Sequence, residues 1–328
     1  MSFSVRKINE REDLIVLLKD EEGGAEATIF PSCGGILNQL SIPAHGTPIN
    51  VIDGYESPED FRKNAELKGF RSCKLSPYVC RIPEARYNFA GKEYHIGKFK
   101  LQDAVIHGLL YNLPFNITGE QAGNDHAALT LEVQYKGEDE GFPFAYTCTV
   151  EYRLSPHGAL SLTTTIKNES GGLMPISDGW HPYFKFDRKI DDLQLEFQSK
   201  EILEFNEGLV PTGKLNAYGD FSSLKQIGDK FFDNSFTLNF AECQPMCLLR
   251  DPRQNIQLEI LPDPSYPYLQ VYTPPHRNSI ALENLSSAPN AFNNQMGLIT
   301  LNAGESRSFK TQYRSSSWAG MQKNRHKE

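Results

Sequence analysis

The feature that most constrains this chain is a period-two alternation of apolar residues that becomes regular from residue 127 onward. Ala127, Leu129, Leu131, Val133 and Tyr135 share one face. Tyr146, Cys148, Val150, Tyr152 and Leu154 share another, and Leu160, Leu162, Thr164 and Ile166 a third. Leu193, Leu195 and Phe197 repeat it, as do Ile256, Leu258 and Ile260, then Leu269 and Val271, then Ile280 and Leu282. Successive side chains of an extended chain point to opposite faces, so each run reads as a half-buried strand. Turn residues separate them at Pro156-His157-Gly158, Asn168 to Gly172 and Glu207-Gly208. No helical periods alternate with the strands, which argues against a parallel α/β sheet. The pattern predicts an all-β fold, a large antiparallel sandwich.

The first third adds strands over Leu14 to Leu18, Ala27 to Phe30 and, after the Gly34-Gly35 turn, Ile36 to Ile42. One short helix is expected over residues 57–67. Ser57 can cap it, Pro58 suits the first helical position, and Glu59 and Asp60 suit the positive end of the dipole. All-β architectures hold 328 residues in one unit, and no Pro/Ser/Gly linker divides this one. The expected domain is 1–314, followed by a frayed basic tail over 315–328. Glu138-Asp139-Glu140 reads as an exposed hairpin turn.

Composition narrows the function classes. Asp and Glu outnumber Lys and Arg 41 to 33, a net charge of −8 without a basic stripe, which argues against nucleic acid. The six cysteines form no Cys-x-x-Cys pair and do not cluster with histidine, a pattern of reduced thiols and neither a disulfide frame nor a zinc site. No apolar run reaches 18 residues and the start lacks an apolar leader segment. The reading is a cytoplasmic protein without membrane partners.

Five polar residues stand out against the strands. In Asp178-Gly-Trp-His-Pro-Tyr-Phe184, Gly179 and Pro182 interrupt pairing around His181, placing its imidazole at a strand end or bulge among aromatic rings. Aromatic faces beside a proton-transferring group suit a sugar, whose ring presents a sheet of C–H groups. A histidine packed in a loop corner would present the same letters. Arg81 lies in the apolar Val79-Cys-Arg-Ile82, where its guanidinium either closes an ion pair or awaits a ligand. His107 precedes Gly108, and Asp233 follows Phe231-Phe232. Glu283 falls on the face opposite Ile280 and Leu282, with the small Ala281 beside it.

Together these segments resemble the aldose 1-epimerase (galactose mutarotase) family. Val79-Cys-Arg-Ile82 with Phe89-Ala-Gly-Lys-Glu-Tyr-His95 resembles its Asn-Arg-Ile…Asp-Gly-Lys-x-Tyr segment. His107-Gly108 is similar to the family's first histidine, Trp180-His-Pro-Tyr-Phe184 to its second, and Asp233-Asn-Ser-Phe236 to its aspartate. Leu282-Glu-Asn284 with Pro289-Asn-Ala-Phe-Asn293 resembles its glutamate and the signature that follows. The likeness runs over roughly residues 25–313 in the family's order. It implies that family's β-supersandwich with one or two short helices. Cys80, Leu109, Trp180 and Pro182 depart from the family's usual Asn, Gly, Asn and Ser or Thr, which bears on the sugar accepted.

Interconverting anomers requires a base for the anomeric hydroxyl proton and an acid for the ring oxygen, and no metal, nucleotide or other cofactor. The resemblance implies Glu283 as base and His181 as acid, each contributing on the order of 10²–10⁴ in rate. Arg81, His107 and Asp233 would hold hydroxyls. Mutual attraction is expected to lower the carboxyl pKa and raise the imidazole's. The expected partner is a small sugar, and the assembly a monomer or dimer. Three other readings share these residues. A hexose-6-phosphate mutarotase would add a phosphate clamp, for which Arg71, Lys74 and His276-Arg277 are the basic residues, otherwise explained as surface charge. A glycoside hydrolase would use Glu283 with Asp233. A carbohydrate-binding module would need no acid/base pair.

Overall fold

The computed structural model describes residues 2–44 and 47–317. The alternating segments form strands in antiparallel sheets, and the described residues include only two short α-helices. A nine-stranded sheet runs in the order Asn116–Ala122, Ala127–Tyr135, Tyr146–Ser155, Ala159–Asn168, Ser306–Ser317, Ile256–Ile260, Cys247–Asp251, Gln194–Phe197 and Lys225–Gln226. The strand Tyr146–Ser155 alternates buried and half-buried along its whole length, as its sequence requires.

Against this sheet packs an eight-stranded one. Its order is Pro211–Ala217, Glu201–Phe205, Asp233–Thr237, Tyr268–Tyr272, Ile280–Leu285, Gly179–Trp180 and Lys74–Leu75, with Tyr183–Phe184 also paired to Ile280–Leu285. Phe184 meets Tyr313 edge-on at 5.3 Å, Tyr266 lies 5.7 Å from Phe309, and Thr311 donates to Asn284 at 2.8 Å. Leu129, Val150, Leu162, Leu269, Val271 and Leu282 close one core between the two sheets. Burying each such side chain contributes about 1.5–3 kcal/mol. This is the large antiparallel sandwich the alternation predicts. An N-terminal five-stranded sheet, Phe3–Glu10, Asp13–Asp20, Glu26–Phe30, Ile36–Ile42 and Ile49–Asn50, shares its core.

Three local expectations are corrected. The first helix spans Pro58–Asn64 and not 57–67. Ser57 does cap it, accepting from Asp60 N at 3.1 Å, but the chain then turns through Gly69 and Phe70 in left-handed conformation. Asp139 is buried, because its carboxylate accepts from Gly97 N at 3.0 and 3.1 Å and from Gly141 N at 2.9 Å; only its neighbours behave as a surface turn. Ser315, Ser316 and Ser317 continue the last strand, paired to Leu258, Gln257 and Ile256, since backbone pairing needs no alternation of side chains. Residues 318–328 of the expected tail lie outside the described residues. Among the described residues, no helix is long and apolar enough to cross a membrane.

A fully buried ion pair anchors the segment from Asp178 to Phe184. Lys74 Nζ sits 2.6 Å from the Asp178 carboxylate, donates to Gly179 O at 3.1 Å and lies 4.4 Å from the Trp180 ring centroid. Tyr266 donates to the same carboxylate at 2.7 Å. Lys74 is therefore structural and not surface charge. Burial raises the Asp178 pKa and Lys74 opposes the rise. Removing one member of such a pair strands the other charge in the core. Lys74→Met is expected to destabilise the fold by about 3–5 kcal/mol, and adding Asp178→Asn to recover part of the loss, as read by chemical denaturation.

Candidate active site

Strand register assembles the site. Gly179 pairs with Leu285 and Tyr183 with Ala281, so the interruption at His181 and Pro182 faces Glu283 and Leu282. Pro182 has no N–H, but its carbonyl accepts from Leu282 N at 3.3 Å, which keeps the ladder in step. The backbone of His181 turns instead to the loop just before Lys74–Leu75. Its N–H donates to Cys73 O at 3.1 Å and its carbonyl accepts from Ser72 N at 2.8 Å. His181 Nε2 then stands 3.5 Å from Glu283 Oε1.

The same period-two rule collects the neighbours. Glu283 pairs with Gln270, Gln270 with Ser235, and Asp233 with Tyr272. Asp233, Gln270, Tyr272, Glu283, His181 and Tyr183 line one cavity of about 250 Å³. The opposite face of these strands carries Val271, Ile280 and Leu282 into the core. Ser235 donates through its hydroxyl to Gln270 Oε1, which turns the amide so that Nε2 donates to Asp233 Oδ1 at 2.9 Å.

A second layer closes the cavity. Arg81, in Arg81–Pro83, pairs with Ile106 of Ala104–Ile106, and His107 N donates to Cys80 O at 2.9 Å. Cys80 and His107 both adopt left-handed backbone, φ 50° and 63°. Gly108, at φ 79°, could carry no Cβ, since one would fall 2.2 Å from Ser76 O. The chain therefore doubles back there and turns both residues inward. The His107 ring lies 4.8 Å edge-on from His181 and 4.8 Å from Phe70. His181 in turn stacks on Tyr183 at 5.1 Å, with the planes 6° apart.

All five residues singled out in the sequence thus line one cavity, together with Cys80. Of the two fates open to Arg81, the ion pair is not used: its guanidinium has no hydrogen-bonding partner among the described residues. Sequence reasoning missed Gln270 and Tyr272, although both alternate with the core residues Leu269 and Val271 as Glu283 does with Ile280 and Leu282.

Electrostatics correct one expectation. Burial and the nearby Asp233 charge push the Glu283 carboxyl well above the usual carboxylate range. Burial lowers the His181 imidazole to about 4. Burial, followed by the His181 and Arg81 charges, holds His107 well below its ordinary value. Asp233 is raised by burial, with Arg81 and Gln270 opposing. Attraction between Glu283 and His181 was expected to move the pair the other way. It loses because both groups are nearly closed off from water, with side chains only 2% and 7% exposed. Glu283 Oε2, His181 Nδ1 and His107 Nδ1 are buried without partners. Donors and acceptors left open in a cavity suit a ligand rich in hydroxyls.

Of the basic residues weighed for a phosphate clamp, Lys74 is fully buried against Asp178 and Arg277 is held by Asp191 and by the Gly228 carbonyl at 2.6 Å. Arg71 pairs with Asp53 at 2.8 Å.

A carboxyl raised by burial makes the native state hold its proton more tightly than the unfolded chain does. Its penalty is absent below the ordinary carboxyl range and grows as pH rises toward the folded value. Glu283→Gln is therefore expected to raise the melting temperature at neutral pH by roughly 2 °C or more. The gain should shrink below about pH 4.3, the ordinary glutamate pKa. Thermal scans across pH read both.

Comparison with known proteins bears on the family and the fold. Residues 15–314 match the aldose 1-epimerase family. Escherichia coli (strain K12) protein YihR is 27% identical over 240 residues, 70% of this chain and 74% of that protein. The aldose 1-epimerase of the same strain is 26% identical over 206 residues, 60% of this chain and only 58% of its own length. Among solved structures, a galactose mutarotase-like protein from Clostridium acetobutylicum superposes with a TM-score of 0.86 at 19% identity, covering 96% of this chain and 99% of that one. Galactose 1-epimerase from Lactobacillus acidophilus superposes at 0.81 and 18% identity, covering 96% and 98%. These two likenesses carry the fold, a galactose mutarotase-like β-supersandwich. The family match covers most of the chain and selects the enzyme over the binding module: this protein belongs to the aldose 1-epimerase family and is an isomerase of the epimerase type.

Proposed function

We propose that the chain, with residues 1–314 acting as one mutarotase-like unit, interconverts the α and β anomers of an aldose. Glu283 takes the proton of the anomeric hydroxyl while His181 delivers one to the ring oxygen. The C1–O5 bond breaks and the open aldehyde turns about C1–C2. Closure on the other carbonyl face returns both protons. Arg81 and His107 hold ring and hydroxyl oxygens, and Asp233, steadied by Gln270, accepts from a hydroxyl pair. The observation that carries the reading is the 3.5 Å approach of His181 Nε2 to Glu283 Oε1 inside a cavity where Glu283 Oε2 has no partner.

The shifted pKa values are compatible with this chemistry. Between them, Glu283 and His181 hold one proton over a wide pH range. A carboxylic acid beside a neutral imidazole and a carboxylate beside an imidazolium have the same proton count. A sugar hydroxyl donating to Glu283 Oε2 favours the carboxylate and sends the shared proton to His181. The working form is the singly protonated pair.

Two outcomes test the assignment. Glu283→Gln is expected to lower kcat by at least about 10² while substrate still binds, as read by polarimetry of a freshly dissolved pure anomer. Retention of more than a tenth of the activity would move the base elsewhere.

For the native protein, kcat/KM should be bell-shaped. Its acid limb should lie near about 4, where the pair gains a second proton, and its alkaline limb well above the usual carboxylate range. In His181→Asn only the raised Glu283 carboxyl titrates, and it must be ionised to act. Residual activity should then rise with pH where the native enzyme's falls. A variant keeping the native alkaline limb would shift the acid role to His107.

A further inference from the structure

The Tyr183 ring that stacks on His181 also carries the Arg71 guanidinium, 5.7 Å from its centroid. Arg71 belongs to a second, open cleft of about 550 Å³, lined by Asp53, Arg71, Lys185, Arg188, Lys189 and His276. Four of these are permanent cations. Asp53 balances Arg71 at 2.8 Å, and Asp251 balances Arg188 at 2.8 Å. Four positive charges less two negative leaves two, in a chain whose net charge is −8.

The uncompensated charges can be named. The Lys185 ammonium has no ion pair or hydrogen bond among the described residues. Lys189 Nζ donates to His276 O and Asn278 Oδ1, both at 2.7 Å. Those acceptors are neutral, so they hold the ammonium in place without cancelling it. Arg71 contributes a buried Nε with no partner, although its other nitrogens reach Asp53 and, at 3.4 Å, His276 Nε2. Asp187 lines the adjoining depression that shares Lys185. Cationic donors with too few acceptors call for an anion of several oxygens, and a fixed guanidinium beside two ammoniums matches a phosphate.

We propose that this cleft binds a phosphate dianion. It is tied to the sugar cleft by the chain itself. Arg71 directly precedes Ser72 and Cys73, whose backbone groups hold the N–H and carbonyl of His181. The phosphate is either free or carried by the aldose, and only the second source rests on the epimerase reading above.

Calorimetric titration of the full chain with inorganic phosphate is expected to show one saturable site. Lys185→Ala/Lys189→Ala should weaken it at least about tenfold. Lys225→Ala, which removes a lysine paired with Asp220 outside this cleft, should leave it unchanged. No saturable binding, or undiminished affinity in a double variant with native melting temperature, overturns the proposal. A second titration uses glucose 6-phosphate with glucose as control. Competition by the 6-phosphate alone assigns the phosphate to the sugar; phosphate binding without competition assigns it to the free ion. Calorimetry needs no turnover. A protein that binds phosphate but leaves every anomer unchanged refutes the epimerase reading alone, and one that turns over sugars without binding phosphate refutes this proposal alone.

Discussion

The broken pairing between Gly179–Phe184 and Ile280–Leu285 is the constraint on which the site depends. With Gly179 set against Leu285 and Tyr183 against Ala281, His181 and Pro182 fall outside the regular ladder between them. Pro182 cannot donate to a ladder, and His181 finds its backbone partners in the Ser72-Cys73 loop. The imidazole is thereby released from the sheet while its neighbours remain fixed at both ends. Below it, Lys74, Asp178 and Tyr266 satisfy one another in the core and anchor the segment against sliding. A one-residue slip would turn Glu283 into the core and Leu282 into the cavity, so the hydrophobic pattern itself protects the geometry.

Burial then sets the chemistry. Closing Glu283, His181 and His107 away from water pushes the carboxyl up and both imidazoles down. Each group is driven toward its neutral form, which makes the pair responsive to what enters the cavity. A few hydroxyl contacts can decide where one proton sits, whereas in water that choice would already be made by solvation. The polar shell reinforces this responsiveness. Gln270, turned by Ser235, points its donor at Asp233 and leaves the unpaired Arg81 facing the cavity. Keeping a carboxyl and two imidazoles this dry costs stability whenever one of them must carry charge.

Much was legible in the letters. The alternation through Tyr146–Ser155 and Ile280–Leu285 reports directly which side chains meet the core, because strand geometry has a fixed period of two. It placed Glu283 opposite Ile280 and Leu282 without any fold in hand, and the glycine and proline flanking His181 marked the interruption. What stayed hidden depends on partners distant in sequence. Lys74 looked like surface charge because Asp178, its partner, lies 104 residues away. Asp139 looked like a surface turn because the Gly97 N–H it accepts from belongs to another loop.

Alone, then, the sequence determined the all-β class, the faces of the strands and the set of residues worth suspecting, since these follow from local periodicity and residue chemistry. Tertiary structure decided which of them meet, how dry the meeting place is and therefore where their protons lie. The direction of the Glu283 and His181 shifts is the clearest instance. Attraction between two named side chains can be foreseen from their types, but desolvation depends on everything packed around them, and in this cavity desolvation is the larger effect.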